Sequence, residues 1–163
     1  FARDAIVDET AALESLAAGH LGCYVTDFPT RQVLGNDKVI TLPHLGASTH
    51  EAEINCAIMV ADNMRSYLED GNIHYSVNFP EADMPRTNAW RITIANANVP
   101  NMVGQISTCL ADAGLNIEDL LNKSRGELAY TIVDLDGEVP AAVIEKIAAI
   151  KGVLKVRNLG KPA

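Results

Sequence analysis

The stretch RITIANANVPNMVGQISTCLADAG (91–114) carries a strand pattern and a helix pattern side by side. RITIANA (91–97) alternates polar and apolar residues, which predicts a strand with one buried face. VPNMVGQISTCLADAG (99–114) predicts a helix that starts near Pro100 and stops at Gly114. A strand followed at once by a helix is the opening of a β-α-β arrangement.

The residues that follow complete this arrangement. LNIEDLLNKS (115–124) and ELAYTIVDLD (127–136) predict two strands joined by a hairpin turn at 125–126. VPAAVIEKIAAIKG (139–152) predicts a second helix, and VLKVRNL (153–159) predicts a closing strand. The order β-α-β-β-α-β predicts a ferredoxin-like α+β module.

The N-terminal part of the chain has a different rhythm. DETAALESLAAGH (8–20) predicts a helix, LGCYVTDF (21–28) a strand, and KVITLPH (38–44) a further strand. Alternating helices and strands are typical of an α/β unit with a parallel sheet, in which ligands bind at the carboxyl ends of the strands. His44 follows one such end, and Asp27 and Arg31 lie near another, so all three are candidate site residues.

Between these two parts, residues 48–70 predict one long helix whose apolar residues recur at helical spacing. We expect this apolar stripe to lie in the core. NFPEADMPR (78–86) carries two prolines, a glutamate and an aspartate, which predicts a linker and a domain boundary.

Composition narrows the class of protein. The 163 residues carry a net charge of −8, which argues against nucleic acid as a partner. The sequence has no apolar run long enough to cross a bilayer, which argues against a membrane partner. The three cysteines show neither a disulfide framework nor metal-ligand spacing, so we expect a reduced, cytoplasmic protein without a metal site. The chain opens on Phe1 rather than methionine, which predicts a piece of a longer protein.

Several motifs together resemble the D-3-phosphoglycerate dehydrogenase family. They are FARDAIVDETAALESLAAG (1–19), DFP (27–29), PHLGAST (43–49) and VNFPE (77–81), followed by the β-α-β-β-α-β module. PHLGAST and VNFPE are the specific signals. The match is to the C-terminal portion of the form that ends in an ACT domain, and the family's GxGxxG turn is absent from this chain.

The resemblance implies a division into four parts. Residues 1–47 would be the C-terminal part of a Rossmann-like nucleotide-binding domain, and 48–77 the long helix and the return to a substrate-binding domain. Residues 78–88 would be a linker and 89–163 an ACT regulatory domain. The implied activity is NAD-dependent oxidation of the 2-hydroxyl of 3-phosphoglycerate, in L-serine biosynthesis, with the chain alone expected to be inactive.

The resemblance also implies catalytic residues. His44 would be the base that takes the hydroxyl proton, since histidine has a suitable pKa for such work. Arg3 would bind the substrate carboxylate through its two-pronged guanidinium. Arg31 stands where much of the family carries a glutamate that orients the histidine. A cation cannot accept the imidazole N–H, so the orienting role of Arg31 is open.

The implied cofactor-binding positions are Ala2, Asp27, Gly46 and Ala47. Gly46 and Ala47 would let the backbone approach the nicotinamide closely. Asp27 is displaced by one residue from the family's carboxamide-binding aspartate, whose place Thr26 holds here.

In the ACT portion, the resemblance implies an effector site at Asn96, Asn98 and Asn116. It would bind L-serine between two ACT modules of a homo-oligomer, although Asn96 and Asn101 depart from the family's serine-binding pattern. Asparagine is also common at turns and caps, so a purely structural role is open. Two further alternatives are another 2-hydroxyacid dehydrogenase, and a module that works only in ligand sensing and oligomerisation.

Overall fold

The structure is a computed structural model that describes residues 3–87 and 89–162. The chain divides into two compact units, Phe1–Cys56 (the first unit) and Ala57–Ala163 (the second unit). Within the described residues, no helix is long and apolar enough to span a membrane.

The first unit is a small α/β unit. Its elements are a 3₁₀ turn (Asp4–Ile6), helix α1 (Glu9–Ala17), strand β1 (Tyr24–Thr26) and strand β2 (Val39–Thr41). The two strands are parallel, with Thr26 opposite Thr41. Asp8 caps α1 by accepting a hydrogen bond from the backbone N–H of Ala11. The predicted helix and parallel strands are therefore confirmed, but each strand has only three residues.

Helix α2 (His50–Arg65) crosses the border between the units and continues into a π-helical turn (Ser66–Asp70). The Thr49 hydroxyl accepts from the Ala52 backbone N–H at its start. The expectation that the apolar stripe of this helix lies in the core is wrong, because no residue of α2 is buried. Periodicity identifies an apolar face, but it does not supply a partner to cover that face.

The second unit contains the predicted β-α-β-β-α-β module. Its elements are β3 (Trp90–Ala97), α3 (Met102–Asp112), β4 (Ile117–Arg125), β5 (Leu128–Leu135), α4 (Ala141–Ala148) and β6 (Val153–Gly160). The strands lie in the order β4-β5-β3-β6 and every neighbouring pair is antiparallel. This order is that of the ferredoxin-like fold, so the predicted fold is confirmed.

Both faces of this sheet are covered. On one face, isoleucines, leucines and valines of the sheet pack with those of α3 and α4, including Ile92, Ile106 and Ile147, each without exposed surface. The other face is covered by residues 71–87, which we call the strap. Met84 of the strap is buried in a cluster with Tyr130 of β5.

The strap is fixed to the sheet by one buried cation. Arg91 lies in β3 and forms a two-pronged ion pair with Asp134 of β5, with nitrogen–oxygen distances of 2.6 and 2.8 Å. Its remaining N–H groups donate to the backbone carbonyls of Asp70, Met84 and Pro85. The segment predicted as a linker is thus bound to the sheet, while the predicted division into four parts stays a prediction.

Candidate functional site

His44 and Asp27 meet at the carboxyl ends of β1 and β2. The ladder between the strands extends one step beyond them, since the Leu42 backbone N–H donates to the Thr26 carbonyl at 2.9 Å. His44 Nδ1 lies 2.7 Å from Asp27 Oδ2. The ring of Phe28 packs on the imidazole with 4.2 Å between the ring centroids. The parallel pairing therefore brings together two polar side chains that are 17 residues apart.

Burial is very unequal within this pair. The Asp27 side chain is 5% exposed, whereas the His44 side chain is 41% exposed. Burial acts to raise the pKa of Asp27, but the hydrogen bond from His44, together with smaller effects, lowers it by more, so the pKa lies below its ordinary value. Asp27 is accordingly ionised at neutral pH and accepts the imidazole N–H.

A cavity of about 290 Å³ lies beside this pair. Its lining includes Arg3, Asp27 and Phe28, together with Glu9 and Thr30, which are hydrogen-bonded to each other. A guanidinium and a carboxylate in one concave site can bind a small polar molecule. His44 contacts Asp27, which is part of the cavity wall.

The other predicted catalytic and cofactor residues are placed differently. Arg31 is exposed, and its side chain has no hydrogen bond or ion pair within residues 3–87 and 89–162. Gly46 has a φ of +53° in the exposed loop after His44, and Ala47 follows it there. Ala2 lies outside the described residues. The structure thus brings Asp27, and not Arg31, to the imidazole.

The second unit holds the predicted effector residues. Asn96 and Asn98 line a small cavity of about 150 Å³ with Asn122, at the start of α3. Asn96 is 1% exposed; its Nδ2 donates to the Ala97 carbonyl, and its Oδ1 has no partner among the described residues. Asn116 is absent from this cavity, because it precedes β4 at the opposite end of the sheet.

Sequence reasoning missed two members of these sites. Asn122 donates to the Thr131 hydroxyl at 2.7 Å and lines the same cavity as Asn96. Its strand, IEDLLNKSR, is mostly polar, so no signal in the sequence singles out this residue. Phe28 packs on His44, and nothing in the sequence marks that contact. Asn101, which departs from the family's serine-binding pattern, adopts a left-handed φ of +64°, a conformation that favours glycine.

The carboxylates, histidines and cysteines of the described residues form no group of three or more that could hold a metal ion. The His44 site offers a histidine beside a carboxylate, with the Arg3 guanidinium in the lining of the adjoining cavity.

The comparisons with known proteins agree with these motifs. The chain is 28% identical over 170 residues to D-3-phosphoglycerate dehydrogenase of Escherichia coli (strain K12), which covers 96% of this chain and 42% of that protein. The Haemophilus influenzae enzyme of the same name is 29% identical over 97% of this chain and 42% of its own length. D-3-phosphoglycerate dehydrogenase 2 of Saccharomyces cerevisiae is 34% identical, over 65% of this chain and 23% of that protein.

This likeness confirms the predicted resemblance to the C-terminal part of dehydrogenases of that name. The chain spans about two fifths of the length of the two bacterial relatives. No protein-family model matches the chain. Among solved structures, the ACT domain from a GTP pyrophosphokinase of Chlorobium tepidum aligns with a TM-score of 0.39 and 16% identity, over 43% of this chain and 95% of that one. The fold assignment stands on the strand order of the second unit.

Proposed function

We propose that the chain is the C-terminal part of an NAD-dependent D-3-phosphoglycerate dehydrogenase. The reaction would oxidise the 2-hydroxyl of 3-phosphoglycerate to a ketone, in the cytoplasm, on the route to L-serine. The observation that carries this proposal is the His44–Asp27 pair beside a cavity that contains Arg3. The likeness over nearly the whole chain to dehydrogenases of that name supports it.

In this proposal His44 is the general base. Its Nδ1–H donates to the Asp27 carboxylate, so the lone pair of a neutral ring lies on Nε2. Nε2 has no hydrogen bond within the described part of the chain and can accept the proton of the substrate hydroxyl. Arg3 binds the substrate carboxylate and polarises the oxygen on which the ketone forms.

The residues next to His44 fit the nicotinamide end of the cofactor. A Cβ built on Gly46 would meet no atom within 4 Å, so the loop backbone is open to a flat group. Gly46 and Ala47 would lie against the ring, and Ala2 is a further proposed contact. When bound, NAD supplies the acceptor for the hydride that leaves the substrate carbon. The phosphate-binding GxGxxG turn is not among these 163 residues, so the chain alone should bind no NAD.

The test is NADH formation from 3-phosphoglycerate by the longer protein encoded with this chain. His44→Ala should reduce turnover by roughly 10²- to 10⁴-fold, the usual worth of a positioned acid–base group. His20→Ala removes an exposed histidine of the same unit and should leave turnover unchanged. Arg3→Lys should mainly raise KM, because lysine lacks the two-pronged geometry. Equal turnover in His44→Ala and His20→Ala would reject the proposed base.

We further propose that the second unit is an ACT module that binds an amino acid and assembles the protein. Asn96 Oδ1 has no hydrogen-bond partner among the described residues and can accept from a ligand donor such as an ammonium group. An amide side chain offers both a donor and an acceptor, as an amino acid ligand requires. Strands β4 and β6 form the edges of the sheet and offer unpaired backbone groups for a second copy. Asn116, which lies apart from Asn96 in one copy, would then be supplied by the neighbour.

L-serine is the proposed effector, and calorimetric titration tests it. Wild type should release heat at millimolar L-serine, and a variant with Asn98→Ala and Asn116→Ala should not. Asn63→Ala is the control, since this side chain has no hydrogen bond within residues 3–87 and 89–162. No heat with wild type would leave the module as an assembly device. Activity with other 2-hydroxyacids in place of 3-phosphoglycerate would favour a related dehydrogenase instead.

A further inference from the structure

We infer that Asp27 is the positioning residue of the His44 site, in the role that the resemblance assigns to position 31. Asp27 holds the imidazole in the tautomer with the proton on Nδ1, so that Nε2 carries the lone pair of the proposed base. This inference rests on the proposed function for its catalytic meaning, but the tautomer can be measured without any catalysis.

The backbone around Asp27 is built to aim its carboxylate. Thr26 is 6% exposed, and its hydroxyl accepts the Phe28 backbone N–H at 3.1 Å, which closes a tight turn immediately after β1. The Thr26 carbonyl accepts the Leu42 N–H from the other strand. Both strand ends are therefore fixed where Asp27 and His44 meet, and the 2.7 Å contact does not depend on a long flexible side chain.

The surroundings favour a single ring orientation. The Asp27 carboxylate is almost fully buried and ionised, so it acts only as an acceptor. The Phe28 ring packs against the imidazole and restricts its rotation. A charged acceptor in a poorly solvated place makes a stronger hydrogen bond than a neutral acceptor in water. The Nδ1–H form is thus favoured over the Nε2–H form.

Arg31 cannot perform this task. A guanidinium carries only donors, so it cannot accept the Nδ1 proton of a neutral imidazole. The Arg31 side chain is exposed. The family's glutamate is absent from position 31, and a buried carboxylate four residues earlier meets the histidine instead. The arginine at position 31 and the contact between Asp27 and His44 are two independent observations. Both indicate that Asp27 takes the place of the family's glutamate.

The first test is nitrogen NMR of the histidine side chains in the 163-residue chain, above the pH at which the ring becomes neutral. In wild type, His44 should populate mainly the Nδ1–H tautomer. In Asp27→Asn this preference should fall to that of an exposed histidine such as His20, and Asp27→Glu should restore part of it. Asp37→Asn, an exposed aspartate in the same unit, is the matched control.

If His44 of the wild-type chain were mainly in the Nε2–H form, the inference would be overturned, and this measurement needs no variant. An unchanged tautomer in a folded Asp27→Asn variant, with backbone amide signals in place, would also overturn it. In the longer protein, Asp27→Asn should lower kcat with little change in KM, by less than the roughly 10²- to 10⁴-fold effect of losing the base. A normal tautomer result with no effect of His44→Ala on turnover would reject the proposed function and leave the positioning intact.

Discussion

The two units of this chain differ most in how they support their polar side chains. In the first unit, two strands of three residues each carry the candidate site, and the buried apolar residues among its described positions are Ala12, Leu16 and Val33. In the second unit, four strands of eight or nine residues are packed on both faces. The candidate catalytic residues therefore lie in the unit with the shorter strands and the smaller hydrophobic core.

This contrast has a physical reason in each unit. Hydrophobic stabilisation grows with the apolar area removed from water, and the second unit has two separate buried clusters. The first unit relies more on individual polar contacts, such as those of Asp27. We therefore expect the second unit to unfold at the higher denaturant concentration, and four measurements test this difference between the units.

The largest effect is expected from Arg91 in the second unit. Arg91→Met leaves the Asp134 carboxylate buried without its cation and removes the donors that bind the strap. Breaking one partner of such a buried pair costs about 3–5 kcal/mol in the free energy of unfolding. The measurement is equilibrium denaturation of the second unit, followed by its tryptophan, Trp90.

The matched control is Arg65→Met. Arg65 pairs with Asp62 at 3.4 Å, and both side chains are more than half exposed. An exposed pair of this kind contributes about 0–1 kcal/mol. If both variants shifted the transition equally, the strap would not depend on Arg91, and the second unit would be less strongly cross-linked than its structure indicates.

The next effect compares two buried leucines, one in each unit. Leu16 in α1 is 1% exposed and Leu110 in α3 is 0% exposed. Replacing either by alanine removes about 2–5 kcal/mol of stability from its own unit. Amide hydrogen exchange should show Leu16→Ala opening only the first unit and Leu110→Ala only the second. Loss of protection throughout the chain in both variants would mean that the two units unfold as one.

The sequence predicts the second unit better than the first because its patterns are long. RITIANA carries a strand pattern over seven residues, and each helix of the module ends at a glycine or begins at a proline, so element type and order follow from local rules. What the pattern cannot tell is that the polar face of β3 is also covered. Arg91 reads as a solvent-facing charge, whereas it is fully buried under the strap.

The candidate site was predictable only in part. His44 and the strand end before it follow from the chain itself, but the partner of His44 depends on the register of two short strands. Asp27 lies one residue after the family's aspartate position, which Thr26 holds here, and the resemblance implied a cofactor-binding role for Asp27. The apolar stripe of α2 shows the same limit, since spacing predicted a buried face and the structure leaves it exposed.

A smaller effect is expected at the glycine that ends the π-helical turn. Gly71 has a φ of +74°, and a Cβ there would lie 2.4 Å from Thr93 Cγ2. Gly114 also has a φ of +74°, but a Cβ there would meet no atom within 4 Å. Both alanine variants bear the left-handed strain of about 1–2 kcal/mol.

Gly71→Ala should add about 1–3 kcal/mol for the steric conflict with the sheet. The difference between the two variants, measured by denaturant unfolding of the second unit, isolates how closely the turn approaches β3. Equal destabilisation would show that the packing of this turn is loose enough to relax around a methyl group.

The smallest effect compares the two histidine–carboxylate pairs, one in each unit. Glu81 accepts from His74 Nδ1 at 2.9 Å and from the Tyr75 backbone N–H, and its side chain is 60% exposed. The hydrogen bond with His74 is the main reason that the pKa of Glu81 lies below its usual 4.5. A carboxyl whose pKa is lowered by folding stabilises the fold above its unfolded pKa and loses that contribution as the pH falls through its folded pKa.

Glu81→Gln should therefore destabilise the second unit slightly at neutral pH, and the difference from wild type should vanish below pH 4.5 as the wild-type carboxyl becomes protonated. Glu118→Gln, at an exposed glutamate of β4, is the matched control. Asp27→Asn should destabilise the first unit in the same pH-dependent way, and the difference from wild type should vanish as the pH falls below 3.8, the usual pKa of an aspartate. This destabilisation should be larger than that of Glu81→Gln, because the Asp27 carboxylate is buried. The measurement is the free energy of unfolding at several pH values. A larger loss in Glu81→Gln than in Asp27→Asn would show that burial does not strengthen the His44–Asp27 pair.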